Sequence, residues 1–403
     1  MRVLIIGAGV AGGVIGRELR ACPDVTVTLI DKVAADDHVM AGNGLNVGPN
    51  AIKILQQLMP EVAAELHAAS LPWTRWKAML VDGTPLFEIP LDAVADTTGV
   101  RIRWSDLYRI ARQPVADLTL YERRCVGVRY DGGNRITATI ESIPDGRIEE
   151  IGDIDLIIGC DGRYSVVRES LVGEPPIRHI GISNFRLLIE DDGRSDVGDL
   201  AEWYHGPNRL LAFRLVDGRV YLSGNMPIAA GGEISSHQKS VAGIREAYLP
   251  QDGSALPVCR MLVDATCAQI DTLHWSRAQE IPSLFRDARG HALLVGDSAH
   301  AMVPTLGQGA TQALEDAGAF VGLFRAVRRW GPIDIPAFTA AFDRLRRERI
   351  NFVKSISWDA SAALQPGGSP VRDNAHKTTA AYWDDLRRLY RDVPFATADQ
   401  AMA

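Results

Sequence analysis

Three short runs in this chain carry residue types spaced for chemistry on a large, anionic, hydroxyl-rich ligand. The first is Gly7-x-Gly9-x-x-Gly12, with Asp31 nineteen residues after its last glycine. Such glycines let backbone turn tightly and approach a pyrophosphate, and the helix that follows offers N–H donors to the anion. An acid at that distance accepts hydrogen bonds from an adenosine ribose. Val10 and Ala11 open the helix, and Lys32 follows the acid. The second run is Asp161-Gly162 with Ser165 and Arg168. The third is Gly296-Asp297, then His300, Pro304, Gly307-Gln308-Gly309 and Ala310. An acid at a strand's carboxyl end, beside a glycine loop and a helix N-terminus, suits a polyol hydroxyl and an electron-rich ring edge.

These residues need strands that end where they stand. Val3 to Ile6 is an apolar run of the length of a buried parallel strand, and Val25 to Ile30 is a second. Strand, turn, helix, strand and acid therefore come in order, against the plainer reading of a glycine-rich turn in an ordinary βαβ unit. Residues 154–159 and 291–296 supply buried strands beneath the other two runs, and Ser165 can cap a helix carrying Val166, Val167 and Arg168. Glycines at 42, 44 and 48 suggest backbone passing close to something flat or bulky, and Pro49 opens a helix. Residues 73–91 read as a hairpin, in which Trp73 and Trp76 fit either a core or a pocket wall. Ile102 to Arg112 reads as helix, and 118–150 as strands around Asp131-Gly-Gly and Pro144-Asp-Gly.

Residues 180–275 change to alternating patterns. Leu210 to Val216, then Asp217-Gly218, then Arg219 to Ser223 is a β-hairpin. Its alternation puts Arg209, Leu211 and Phe213 on one face, and Leu210, Ala212 and Arg214 on the other. A late helix carries Phe338, Phe342, Leu345 and Phe352; Gln365 to Pro370 breaks it, and Thr378 to Tyr390 forms one more. The expected fold class is α/β. Residues 1–72, 92–179 and 276–335 form a Rossmann-like βαβ domain. Residues 73–91 and 180–275 form an inserted, mostly antiparallel sheet domain, and 336–403 a C-terminal helical region.

Composition excludes several classes. The 403 residues are 46% hydrophobic and 23% charged, ordinary for a globular protein. A net charge of −7 gives no general attraction to nucleic acid or anionic membrane. No apolar run approaches the roughly 20 residues that span a bilayer. The five cysteines (Cys22, Cys125, Cys160, Cys259, Cys267) are scattered without C-x-x-C spacing, which predicts reduced thiols and no metal site. The first strand begins at residue 3, so a cytoplasmic protein without a signal peptide is expected, as monomer or homodimer.

Together the three runs resemble the class A, single-component FAD-dependent aromatic hydroxylases with the para-hydroxybenzoate hydroxylase fold. A late pattern of aromatic, acid and two arginines adds to it, as Phe342-Asp343 with Arg346 and Arg349. Gly44-x-x-x-Gly48-Pro49-Asn50 and the Trp203-Tyr204 strand look most like hydroxynicotinate, pyridine-carboxylate and urate hydroxylases. The resemblance implies FAD, with Asp31 at the adenosine ribose and Asp297 at the ribityl chain. Asp161-Gly162 would serve flavin and nicotinamide nucleotide, and Pro304 with Gly307–Gly309 would border the isoalloxazine. It implies NADH or NADPH and O2 as co-substrates, and hydroxylation of a small electron-rich aromatic or N-heteroaromatic ring by a flavin C4a-hydroperoxide. Rival readings are an FAD oxidoreductase without oxygen insertion and a non-catalytic flavin-binding protein. The implied pocket draws on Asn46, Trp203, Tyr204, His205, Arg209, Phe213, Arg214, Tyr221 and Pro304. Within it Arg209 beside Phe213 would pair with an acidic or hydroxylated ring, leaving Arg214 solvated.

Three departures stand out. Trp104 occupies the place of the family's arginine in R-x-x-L, with Arg103 one residue earlier as the replacement candidate for the cofactor. Asn46 stands where hydroxynicotinate hydroxylases have a histidine, and Phe213 and Arg209 stand where they have tyrosine and histidine. Hydroxynicotinate itself is therefore not the expected substrate.

Overall fold

Arg2–Ile6 lies in the middle of a five-stranded sheet, flanked by Leu156–Gly159 and Ala292–Leu294 on one side and Thr26–Ile30 and Thr119–Leu120 on the other. All four pairings are parallel. Ile6 is in register with both Ile30 and Gly159, and Gly159 with Leu294. The strands therefore end together, and Gly7, Asp31, Asp161 and Asp297, far apart in sequence, emerge along one sheet edge. That edge, at the carboxyl ends of parallel strands, is where α/β sheets bind ligands. The computed structural model describes residues 1–37, 43–191, 193 and 195–394; Gly42 lies outside the described residues.

The three central and flanking strands Arg2–Ile6, Leu156–Gly159 and Ala292–Leu294 are mostly Val, Ile and Leu and are buried apart from Arg2, as a helix-covered parallel sheet requires. Helix Val10–Arg20 packs on helix Gln308–Arg328, which in turn packs on the long helix Ile335–Asp359. The last starts on Asp334, whose side chain accepts from Ala337 N.

A second sheet has seven strands, in the order 274–280, 178–189, 220–227, 208–214, 200–205, 75–80, 85–90. Its pairings are antiparallel except that of Leu200–His205 with Arg75–Leu80. The 73–91 hairpin thus adds itself to the edge of the later sheet. One face carries Phe185, Trp203, Leu210, Ala212 and Leu222 in a separate core beneath helices Val241–Tyr248 and Pro257–Ala268. Those two helices were not evident among the alternating patterns of 180–275. The other face turns toward the parallel sheet.

Gly44–Val47, Gly99–Arg103 and Leu71–Trp73 make a small sheet between the two. Here the structure corrects the helix expected over 102–112. Ile102 and Arg103 end a strand, and the helix is Trp104–Arg112. Helix Ala380–Tyr390 closes the described chain and buries Tyr382, Leu386, Leu389 and Tyr390. All five cysteines are free thiols. Among the described residues no helix is long and apolar enough to cross a membrane.

Candidate functional site

The Gly7–Gly12 loop is built so tightly that side chains are excluded from it. A Cβ on Gly7, which has φ +96°, would collide with the Cys160 carbonyl, and one on Gly12 with the Gly7 carbonyl. At Gly9 nothing lies within 4 Å, so the loop is closed toward the sheet and open outward. No side chain caps helix Val10–Arg20, which leaves the first N–H groups, around Val10 and Ala11, for an anion. Asp31 braces the loop from below: its carboxylate accepts from Ala8 N (2.9 Å) and Val33 N (3.2 Å). A carboxylate has about four acceptor positions, so capacity remains for ribose hydroxyls. Lys32 is exposed beyond it.

At the neighbouring strand end, Asp161 accepts from Val167 N through Oδ2 (3.2 Å), while Oδ1 is closed off from solvent with no partner. Burial raises its carboxyl above the usual range, against the hydrogen bonds from Ser165 and Val167. Gly162 has φ +80° and open space beside it. Arg168 stands one layer behind. It donates to the carbonyls of Ser298, Ala299 (both 3.1 Å) and Pro282 (2.8 Å), clamping the turn that carries Asp297. Asp297 itself is exposed on the groove, and among the described residues its carboxylate has no partner.

The Gly307 loop is held by a buried polar lattice. Gly307, at φ +64°, turns the chain into helix Gln308–Arg328. Gln308 is buried and accepts from Asn50 Nδ2 (3.1 Å) and Gln312 Nε2 (3.0 Å), while its own Nε2 has no partner. Gly296, at φ +65°, donates its N–H to Asp316 (2.8 Å). Glu315 and Asp316 accept from Arg346, and Glu315 also from Arg349 Nε (2.9 Å). Of the late pattern, Arg346 and Arg349 are thus buried and structural, whereas Asp343 pairs with Arg347 at 2.7 Å.

Between this loop and the inner face of the seven-stranded sheet lies a cavity of about 350 Å³, within the range of small-molecule pockets. Asp297, Pro304, Gly307, Gly309 and Ala310 form one wall; Gly44, Asn46 and Trp104 form another. Trp73, Trp76, Tyr390, Phe213 and Tyr221 supply apolar surface, so the two tryptophans are core-buried and pocket-lining at once. The rings of Phe213 and Tyr221 are 4.8 Å apart. Gly44 is needed here because a Cβ would come within 2.9 Å of the Tyr221 side chain.

Arg209 is the buried cation of this wall, 4% exposed. Nε and Nη2 donate to Asn225 Oδ1 (3.0 and 2.8 Å), and Nη1 to Glu202 Oε1 (3.0 Å). Glu202, 1% exposed, also accepts from the Tyr204 hydroxyl (2.8 Å). Sequence reading missed Glu202; the signal was its place between Leu200 and Tyr204 on the inward alternation of one strand. Tyr204 sits behind the cavity wall, where burial and then Glu202 hold its phenol well above the usual range.

Besides Tyr204 and Arg168, four expected pocket or cofactor residues lie away from the cavity. Trp203 and His205 alternate outward: Trp203 joins the second core, and His205 Nδ1 meets the Ala247 carbonyl at 3.0 Å. Arg214 is not solvated. It is ion-paired with Asp191 and donates to Val197 O (3.0 Å) and Gly218 O (2.8 Å), because Asp191 and residues 195–198 lie against the strand end. Arg103 spends its guanidinium on Asp106 (2.7 Å) and Asp217 (3.0 Å), away from the groove.

No family model matches the chain. It is similar to the 2-heptyl-3-hydroxy-4(1H)-quinolone synthase of Pseudomonas aeruginosa, 27% identical over 363 residues, which span 89% of this chain and 88% of that protein. The 3-amino-4-hydroxybenzoate 2-monooxygenase of Streptomyces cremeus is 29% identical over 378 residues, 86% of each. Among solved structures, Klebsiella pneumoniae HpxO, complexed with FAD and uric acid, superposes with a TM-score of 0.75 at 20% identity, covering 100% of this chain and 97% of its own. That likeness shows the fold: a parallel Rossmann-like sheet with a separate second sheet.

Proposed function

We propose that this chain is a class A FAD-dependent aromatic hydroxylase, a monooxygenase acting on a small electron-rich aromatic or N-heteroaromatic ring with NAD(P)H and O2, as its likeness to named aromatic monooxygenases supports. One observation carries the reading: a single cavity has the Asp297 and Pro304–Ala310 surface on one wall and the Arg209–Phe213 surface on the other. A cofactor ring and a substrate ring would share it. The residues fit FAD: side-chain-free glycines at the diphosphate, Asp31 at one end, and an unpartnered Asp297 carboxylate at the other. FAD, when bound, supplies hydride acceptance, reaction with O2 and delivery of one oxygen atom.

The protein's part is positioning and exclusion of water. Trp73, Trp76, Phe213 and Tyr221 hold an aromatic ring in an apolar slot, which strengthens every polar contact made inside it. Arg209 is locked in orientation by Asn225 and Glu202 before substrate arrives, so its remaining N–H donors are aimed without further ordering cost. A donor of fixed charge there stabilises a ring hydroxyl as its proton leaves, which raises the ring's electron density.

The test is a screen of hydroxylated pyridines, benzoates and quinolones for substrate-dependent NAD(P)H oxidation, followed by mass spectrometry of product formed under labelled O2. The expected result is one labelled oxygen per product. Reduction or oxidation of a substrate with no label incorporated would assign the chain to flavin oxidoreductases that insert no oxygen.

A further inference from the structure

One face of helix Trp104–Arg112 carries Trp104, Tyr108 and Arg112, four residues apart. Trp104 lines the cavity, its ring 5.2 Å from that of Tyr108, and the Arg112 guanidinium lies 4.4 Å over the Tyr108 ring. The stripe ends at the Gly7–Gly12 loop: Arg112 Nε donates to the Ala8 carbonyl (3.0 Å), and Nη2 stands 3.7 Å from Asp31. Arg112 is 6% exposed, and its Nη1 has no hydrogen-bond partner. A buried, unpaired guanidinium N–H costs free energy unless a ligand completes it.

Charge places the ligand. The groove is edged by Asp31, Asp161 and Asp297, and Tyr108 stands between Trp104 on the cavity wall and Arg112 beside Asp31. A helix N-terminus offers only roughly half an elementary charge against a doubly negative diphosphate. Arg163 lines the ring-end cavity and lies over the Tyr164 ring at 5.2 Å; four further cations near this edge are committed or remote. Arg168 is spent on carbonyls and Arg103 on Asp106 and Asp217; Arg109 is 3.9 Å from Asp106, and Lys32 is exposed beyond the acid.

We infer that Arg112 is the side-chain cation that binds the diphosphate of the dinucleotide cofactor, with Tyr108 and Trp104 as the platform that carries it from the loop to the ring end of the groove. The assignment rests on the FAD reading above. Arg112 reaches the same loop whose helix N–H groups are uncapped, so the anion would be held by a fixed charge together with backbone donors.

The experiment compares wild type, Arg112→Lys and Arg112→Gln after removal of flavin. It reads FAD affinity by quenching of flavin fluorescence, ADP affinity by calorimetry, and thermal stability of each. Glutamine can still donate to the Ala8 carbonyl but carries no charge; lysine keeps the charge. We expect Arg112→Gln to bind both FAD and ADP about tenfold to hundredfold more weakly, and Arg112→Lys to keep most of the affinity. Lysine and glutamine variants that fall alike would make Arg112 only a clamp on the loop, and ADP affinity unchanged in Arg112→Gln would overturn the assignment alone. A wild-type chain that binds ADP but no FAD would overturn the FAD reading while leaving Arg112 as the anion ligand of another dinucleotide.

Discussion

His300 Nε2 lies 2.7 Å from Asp316 Oδ2, and neither side chain has any exposed surface. The same carboxylate accepts from Gly296 N at 2.8 Å and, through Oδ1, from Arg346 Nε at 2.6 Å. Asp316 therefore ties the turn that presents Asp297 to the two longest helices of the chain. Burial pushes its carboxyl up, but His300 and Arg346 outweigh burial and hold it below the usual range. His300, a member of the third glycine-and-acid run, belongs to the scaffold that aims the site.

Asp316→Asn should cost on the order of 3–5 kcal/mol, because it leaves Arg346 short of a buried counter-charge. It should also release flavin by loosening the Asp297 turn. A carboxylate whose folded pKa is depressed contributes stability that is present above the unfolded pKa of about 4 and lost as pH falls through the folded value. Urea unfolding from neutral pH down to about pH 3 should therefore show a smaller acid loss in the variant than in wild type. An identical acid loss in both would remove Asp316 from the acid response.

Arg209→Met should raise the substrate KM by about tenfold to hundredfold with FAD content unchanged, since Arg209 is the buried cation of the cavity wall. It also strands Glu202, so the double variant Arg209→Met/Glu202→Gln should recover stability without recovering KM. Arg214→Met should lower the melting temperature through its lost Asp191 pair and leave KM alone. Steady-state oxygen uptake distinguishes the two. A KM change from Arg214→Met as large as that from Arg209→Met would reverse the assignment of the hairpin face.

Lys377 is 1% exposed, with its ammonium 5.0 Å from the centre of the Trp76 ring and 4.8 Å from that of Phe87, and no hydrogen-bond partner. Burial is the main cause that pulls its pKa down to about 8, with Glu202 opposing and Arg209 adding. The unfolded chain then binds a proton between about pH 10.5 and 8 that the folded chain does not, so stability falls as pH falls through that window. Lys377→Met should gain up to about 3 kcal/mol at neutral pH, a gain that shrinks toward pH 10. Denaturant melts at pH 7 and 10 check this, and a variant less stable than wild type at pH 7 would show that the ammonium is needed where it sits.

The glycine spacings and strand-end acids were legible because they answer local demands. Gly7 and Gly12 leave no room for a Cβ, Gly307 needs a left-handed turn, and an apolar run of a given length must end where a polar residue begins. Alternation likewise put Arg209 and Phe213 on one face of their strand and Arg214 on the other. Alternation does not say what lies against each face. Arg214 meets Asp191 only because chain 23 residues away lies against it, and Trp203 points outward because two helices of 241–268 cover that side. Glu202, Arg112 and Lys377 carry no motif at all; each acquires its meaning from partners 7, 104 and about 300 residues distant, Arg209, Ala8 and Trp76. Burial and unpaired donors arise from that long-range packing, in which the free energy of a charge depends on what excludes water from it, and a residue's neighbours in sequence do not specify that.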